Sequence, residues 1–583
     1  MHQKRKLSKK SVVRELKLET RLPSSSGTNQ ITSSGIVNSQ HKFQLVILST
    51  GIGLLSFWVY LRTLYPSVAG GDSTEFAFAA CQFSVPHPPG YPTFLMLSHA
   101  FVRLLPWWGS AAARANAAAA ACGSGAAALV SLAAWEATGH APAALAAAGV
   151  FAFGRLVWSY AIQSEVFALN NLFAAALLYL AAKYDRSPSD RTAYLGAFVC
   201  GLALTNQHTI IFYIAPIALF VLARGGRALL TPPKVAALSL LGIAGLLPYA
   251  VIAWRSSFGL PGSWGDLTTV QGFLTHILRR EYGTFRLFAG AERGDHRFWL
   301  GLRLYATNLV REMHPLGAAL LLFGIVAAFV GSKARAGADG RRGLFPGARL
   351  CVGCWALYTV VFHYIGNLPI EQELYLGVHE RFWMQAHVAA HVLMGVGASA
   401  AGRGLDALFP AAGAAAGRPP WLSPSAVVAV AAVAAQIGRN YRAVDESGNF
   451  HVLRFGRELL RPLPANARLL VKGDLITNTA RYLQVCEGYR DDVQMADMSM
   501  MTYPWFKKVQ AKNLPGFVWP NAFYHPFQPE GYSMRQFLEA NMKAGDVFMA
   551  GGWYPNDPTP LAAFGHLPWG LASKVVRACG GPF

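Results

Sequence analysis

Apolar runs of roughly 20 residues recur between positions 43 and 438, and no other feature narrows the possible folds as sharply. Hydrocarbon offers the backbone no water, so a spanning segment must be a helix or part of a closed barrel. The runs are continuous and do not alternate apolar with polar residues, which selects helices. The expected fold is therefore a polytopic α-helical membrane protein of about 11 spans, followed by a C-terminal soluble α/β domain. Composition agrees, with 53% hydrophobic and 14% charged residues, where a soluble domain carries about 25% charged. An excess of 51 Lys and Arg over 30 Asp and Glu would suggest nucleic acid in a soluble chain. Here much of it flanks apolar runs, where it orients the chain, so membrane lipids and no nucleic acid are the expected surroundings.

Residues 1–42 are basic and serine-rich and read as a disordered cytoplasmic tail, too long and polar for a signal peptide. Residues 43–439 form the multi-span region, with spans expected near 43–63, 111–134, 141–160, 164–182, 192–205, 208–224, 235–254, 315–331, 350–367, 386–400 and 422–438. The stretch 91–108, with Arg103 and two tryptophans, fits an interfacial helix. The alanine-rich 111–134 fits a buried helix that lets neighbours approach closely. Counting from a cytoplasmic N-terminus, Lys183, Arg186, Arg224, Arg227 and Lys234 fall on the cytoplasmic side. Loops 64–110, 255–313 and 367–385, and the segment 440–583, then face the lumen or the exterior. Segment 440–583 has ordinary soluble composition, and strand 467–471, helix 475–488 and strand 493–496 make a small α/β unit without the period of a tandem helical repeat. Seven cysteines form no disulfide framework; a Cys486–Cys579 pair is one option, and Cys351 and Cys354 lie in an apolar run, where packing suits them.

The chemistry-bearing stretch is GGDSTEFAFAACQFSVPHPPGYP, 70–92. Asp72 and Glu75 are spaced to share a helix face. One reading makes them a helix cap and its capping-box partner; the other makes them a general base and a second acid that orients a substrate. They follow a glycine pair at a span end, where ionisable groups are costly and more often functional. His87 stands among Pro86, Pro88 and Pro89, which stiffen the backbone; this is a rigid turn, or a wall presenting His87 and Tyr91 to an anionic ligand. Arg381 and Gln385, one helical turn apart, offer either a phosphate fork or an arginine anchored with Trp383 at the interface. Arg279 and Arg280 pose the same choice. Gln163 and Glu165, with Asn206, Gln207 and His208, place polar groups at several span ends on one side, as loop solvation or as the lining of a shared cavity. The sequence has no Walker, dinucleotide-binding or HExxH motif.

The acid and HPPGYP loop, SYAIQSEVFALN (159–170), LTNQH (204–208), HILRREYG (276–283), ERFWMQ (380–385) and GDLITNTARYLQVCEGYRDDV (473–493) together resemble one membrane-protein family. It was long catalogued as a domain of unknown function, and its animal member is the endoplasmic-reticulum O-mannosyltransferase of plexins and related receptors. The likeness runs from about residue 45 to about 510. It implies a C-type, polyprenyl-phosphate-dependent glycosyltransferase that moves mannose from dolichyl-phosphate mannose to Ser or Thr hydroxyls of receptor-type ectodomains. It also implies Asp72 as base, Glu75 as its companion, His87 and Tyr91 as signature residues and Arg381, with Arg279 or Arg280, at the lipid-linked phosphate. Arginines can supply the positive charge, so no obligatory metal is expected. Animal members carry tetratricopeptide-type repeats after the membrane part, for which too few residues follow 510 here. The alternatives are transfer of another lipid-linked sugar or to another acceptor, a transporter, which would show internal repeats and charges near mid-membrane, and a scaffold, which has no need of the first-loop acids.

Overall fold

The computed structural model describes residues 26–281, 283, 295–330, 346–409 and 423–578. The chain divides into Met1–Leu48 and Ser49–Phe583, and the second unit carries the candidate site. The first helix, Ser26–Thr63, starts inside the tail that composition reads as disordered; residues 1–25 and Cys579 lie outside the described part.

Among the described residues, seven helices are long and apolar enough to cross a membrane: Gln44–Thr63, Ala111–Thr138, Val166–Arg186, His208–Leu229, Pro232–Ser256, His296–Val330 and Gly347–Ile365. Ala141–Ala152 and Arg155–Ala161, bent by 65°, make an eighth if taken together. The expected 11 is thus corrected to seven or eight, and the reasons are local. Asp190–Leu204, over the expected span 192–205, has 15 residues, which at about 1.5 Å per residue falls short of a roughly 30 Å hydrocarbon core. Trp383–Leu408 and Pro424–Val444 are longer but interrupt their apolar sequence with Gln385, His387 and His391 in one and Gln436, Arg439 and Asn440 in the other.

Ala111–Thr138 is buried along most of its length, as its composition predicts. Its small side chains bring other helices close: a Cβ at Gly123 would lie 2.8 Å from the Ala161 Cβ. The segment expected as loop 255–313 holds the helix Val270–Ile277 and the first part of Asp295–Val330, which kinks at His314, just before Pro315. Pro92–Leu104 has 13 residues, too few to span, and Trp107 and Trp108 beyond it are exposed.

The C-terminal part carries a five-stranded sheet in the order β2-β1-β5-β7-β6, built from β1 (Arg468–Val471), β2 (Gln494–Asp497), β5 (Val547–Ala550), β6 (Phe564–Trp569) and β7 (Ala572–Arg577). β3 (Phe523–Tyr524) and β4 (Gly531–Tyr532) pair separately. β1 runs parallel to both β2 and β5, and β7 is antiparallel to β5 and β6. The strand–helix–strand order read from the sequence is present as β1, the helix Asp474–Glu487 and β2. All four residues of β1 are buried, as expected for a strand covered on both faces.

One apolar core joins the two parts. Ala77, Phe78 and Ala80 of the helix Gly71–Gln82 pack in the same cluster as Leu469, Val471, Tyr482 and Leu483 of the α/β unit. The Tyr482 hydroxyl accepts the Ala112 backbone N–H at 3.2 Å. Cys486 packs against this core near Cys81, and the six described cysteines are all free.

Candidate active site

The helix Gly71–Gln82 follows two glycines with positive φ, 111° at Gly70 and 55° at Gly71, a turn that only glycine makes without strain. Its N-cap is Gly70, with no side-chain cap, and the Gly70 N–H donates instead to Thr74 Oγ1 at 3.0 Å. Neither acid is therefore used as a cap, so the capping-box alternative fails. Asp72 Oδ2 accepts from Arg381 Nη1 at 2.9 Å, and Glu165 Oε1 accepts from the same nitrogen at 3.2 Å. Glu75 accepts twice from His87, from its backbone N–H at 2.7 Å and from Nδ1 at 2.6 Å.

The proline-rich turn positions these groups. It contains a cis Pro88-Pro89 bond and Gly90 at φ 91°. A Cβ at Gly90 would stand 2.7 Å from Ile252 Cδ1 and 3.1 Å from His276 Nε2. Tyr91, left-handed at φ 43°, starts the helix Pro92–Leu104, and its hydroxyl lies 3.3 Å from His87 Nε2. The Phe76 ring packs against His87 and Tyr91 with centroids 5.7 and 5.2 Å apart. Arg381 comes from the loop between Glu373–Glu380 and Trp383–Leu408, and its guanidinium lies 5.5 Å from the Phe167 ring centroid.

The charges are strongly coupled. Burial alone would raise Asp72, but the Arg381 guanidinium and the His87 and Arg279 charges together outweigh it and hold the carboxyl below the usual range. Burial pushes Glu165 up to about 8, with the Asp72 and Glu75 charges adding to it against the pull of Arg381. Glu165 is therefore largely protonated at neutral pH and still offers an oxygen to Arg381. Burial opposes the charge on His87, yet the neighbouring Glu75 carboxylate holds its pKa well above the ordinary value, so the ring is cationic. Burial, followed by the His87 charge, pushes His276 down to about 3, leaving it neutral.

A cavity of about 420 Å³ brings together Asp72, Glu75, His87, Tyr91, Glu165, Gln207, His208, Arg279 and Arg381. Three other sequence candidates lie elsewhere. Gln163 turns back to donate to the Ser159 carbonyl at 3.1 Å. Arg280 is exposed and outside the lining. Gln385 sits behind it, fully buried, donating to Gln207 at 2.7 Å and accepting from Thr209 at 3.0 Å. The remaining wall comes from the α/β unit: Asp474, Asn478, Arg481 and Asp497; of these the sequence marks only Asp474, and weakly. The one sequence signal for it is Gly473-Asp474 at the end of a strand.

Asp72, Glu75 and His87 also place ligand atoms within 4.8 Å of one another, the one metal-competent group among the described residues. A cation there would have to displace the Arg381 guanidinium from Asp72 and the proton from His87.

The fold is shared with ArnT from Cupriavidus metallidurans. The chain matches the form bound to undecaprenyl phosphate with a TM-score of 0.54 at 14% identity, covering 92% of this chain and 99% of that one. It matches the apo form at 0.53 and 13% identity, covering 91% and 97%. A helical membrane region of seven to eight candidate spans among the described residues, with a C-terminal sheet domain, defines the class as a polytopic helical membrane protein with the fold of ArnT. Residues 72–229 match the Protein O-mannosyl-transferase TMEM260 N-terminal domain. Protein O-mannosyl-transferase TMEM260 of Mus musculus is 36% identical over 530 residues, covering 89% of this chain and 72% of that protein. Protein O-mannosyl-transferase tmem260 of Dictyostelium discoideum is 33% identical over 539 residues, covering 89% of this chain and 65% of that protein. The chain belongs to the TMEM260 family and spans 65% and 72% of the length of these two relatives.

Proposed function

We propose that this chain is a protein O-mannosyltransferase of the endoplasmic-reticulum membrane, moving mannose from dolichyl-phosphate mannose to Ser or Thr hydroxyls of receptor-type ectodomains. The cavity then faces the lumen, with residues 1–42 cytoplasmic and 440–583 luminal. Family membership supports the reaction class. The observation that carries the mechanism is the Asp72–Arg381 ion pair inside a cavity lined also by Arg279 and by the His87 cation.

The reaction needs a base at the attacking hydroxyl and positive charge at the departing phosphate. Asp72 stays ionised at neutral pH and can take the hydroxyl proton. The acceptor oxygen bonds to the anomeric carbon as the bond from that carbon to the phosphate oxygen breaks, and the electron pair leaves on dolichyl phosphate. Arg381 offers the leaving phosphate a fork that lysine lacks. A bound phosphate competes with Asp72 for that guanidinium. Every hydrogen bond it draws from Arg381 weakens the hold on Asp72 and makes the carboxylate a stronger base, so the base is strengthened where the sugar lipid is already seated.

Radiolabelled mannose transfer from dolichyl-phosphate mannose to a receptor domain by purified protein tests this. Replacement of Asp72 by Asn is expected to lower turnover by about 10²- to 10⁴-fold, the size of a lost general base, with folding intact. Full activity of the folded Asp72→Asn variant would remove Asp72 from the mechanism. No transfer by wild type to any acceptor would turn attention to other lipid-linked sugars.

A further inference from the structure

On the membrane-region wall of the cavity the acids are engaged: Asp72 and Glu165 with Arg381, and Glu75 with His87. Asp497 of the opposite wall is engaged too, accepting from Arg481 at 3.0 Å through Oδ2 and from the Ser499 N–H at 2.8 Å through Oδ1. Asp474 differs. Its side chain is open to the cavity, and among the described residues it makes no ion pair or side-chain hydrogen bond. It sits at the first position of the helix Asp474–Glu487, which Lys472 and Gly473 connect to the end of β1. β2 and β5 flank β1 on opposite sides, so the chain leaves β1 at a switch point of the sheet. Ligands of open parallel sheets bind in the crevice beyond the carboxyl ends of strands at such a point. One turn further on, Asn478 Nδ2 reaches the Gly71 carbonyl at 3.5 Å, tying this crevice to the start of the Asp72 helix.

Charge decides which ligand belongs here. Asp474 is close enough to Asp72 and Glu75 for their charges to act on it: desolvation within the cavity first, then those two carboxylates, push it up to about 6. The anionic phosphodiester of a sugar lipid is repelled from such a wall and drawn to Arg381 and Arg279, which line the same cavity. A hydroxyl is neutral and donates a hydrogen bond, which a free carboxylate accepts.

We propose that Asp474 accepts a hydrogen bond from the acceptor substrate, so that the α/β unit forms the hydroxyl-acceptor subsite facing the phosphate subsite at Arg381. This rests on the glycosyl-transfer reading above. Asp72 remains the proton acceptor in the reaction; Asp474 binds and orients the acceptor segment that carries the hydroxyl.

The test is steady-state transfer by the full chain with sugar lipid and acceptor varied separately, for Asp474→Ala and Asp474→Asn. Asp474→Ala is expected to raise the acceptor KM about 10- to 100-fold, the effect of losing a hydrogen bond to a charged group, while the sugar-lipid KM stays within about twofold. Asp474→Asn, whose amide oxygen still accepts, is expected to fall between. In wild type, kcat/KM for the acceptor falls as pH drops through about 6, and this limb is absent from Asp474→Asn; a merely structural role would leave the limb in place. Melting temperature and size-exclusion profile establish that the variants are folded. An unchanged acceptor KM, or a rise in sugar-lipid KM instead, overturns the inference and leaves the transferase reading standing. Absence of transfer by wild type overturns both.

Discussion

His87 and Glu75 are the residues whose pairing responds most directly to pH. Folding raises the His87 pKa through Glu75, so the stability this pair contributes is fully present below the unfolded histidine value of about 6.5 and is lost as pH rises through the folded value. Thermal melting of wild type is therefore expected to weaken from about pH 6.5 upward. Glu75→Gln removes the carboxylate and should flatten that dependence; an equal slope in both proteins would show that another group titrates. The residue types at this site were legible in the sequence because a buried face of a membrane bundle tolerates few charges, so Asp72, Glu75, Glu165 and Arg381 stood out. Which charge pairs with which was not legible. Asp72 and Arg381 are 309 positions apart, and no spacing rule reaches that far.

Among the elements, the proline-rich turn does the positioning. Its conformation places Glu75 under two His87 nitrogens, and Gly90 lets it pass beside Ile252 and His276. Gly90→Ala combines a left-handed φ of 91° with a clash at Ile252, and is expected to cost about 1–3 kcal/mol, read as a lower melting temperature together with reduced transfer. An unchanged melting temperature would mean that the turn has room to relax. Helix identity was legible from composition in Ala111–Thr138, whose alanine-rich run the structure shows as a helix capped by Ser110, which accepts the Ala113 N–H. Span number was not, because polar residues buried against other helices, such as Gln385 at full burial, look in a sequence like those at a loop edge.

For the whole molecule, the shared core matters more than any single contact. Phe78 of the first loop and Tyr482 of the α/β unit are 2% and 0% exposed within one cluster, and Gly262 lies between Phe78 and Arg481 with φ at 70°. The α/β unit is thus a structural part of the cavity. A chain ending after Val444 exposes this cluster and removes one cavity wall, so it is expected to lose its monodisperse elution and all transfer activity. A stable, active truncation would refute the joint core.

What depends on local chemistry can be read from the sequence: helices in hydrocarbon, a strand–helix–strand unit, and a short stretch dense in acids, histidine and prolines. Its apolar periodicity and turn residues act over a few positions, and those rules can be read in one dimension. Only the tertiary structure decided that Arg381 faces Asp72, that Gln163, Arg280 and Gln385 stay off the cavity, and that Asp474 completes it. These follow from how bent and broken helices pack around one core, a long-range balance of burial and charge that no local pattern encodes.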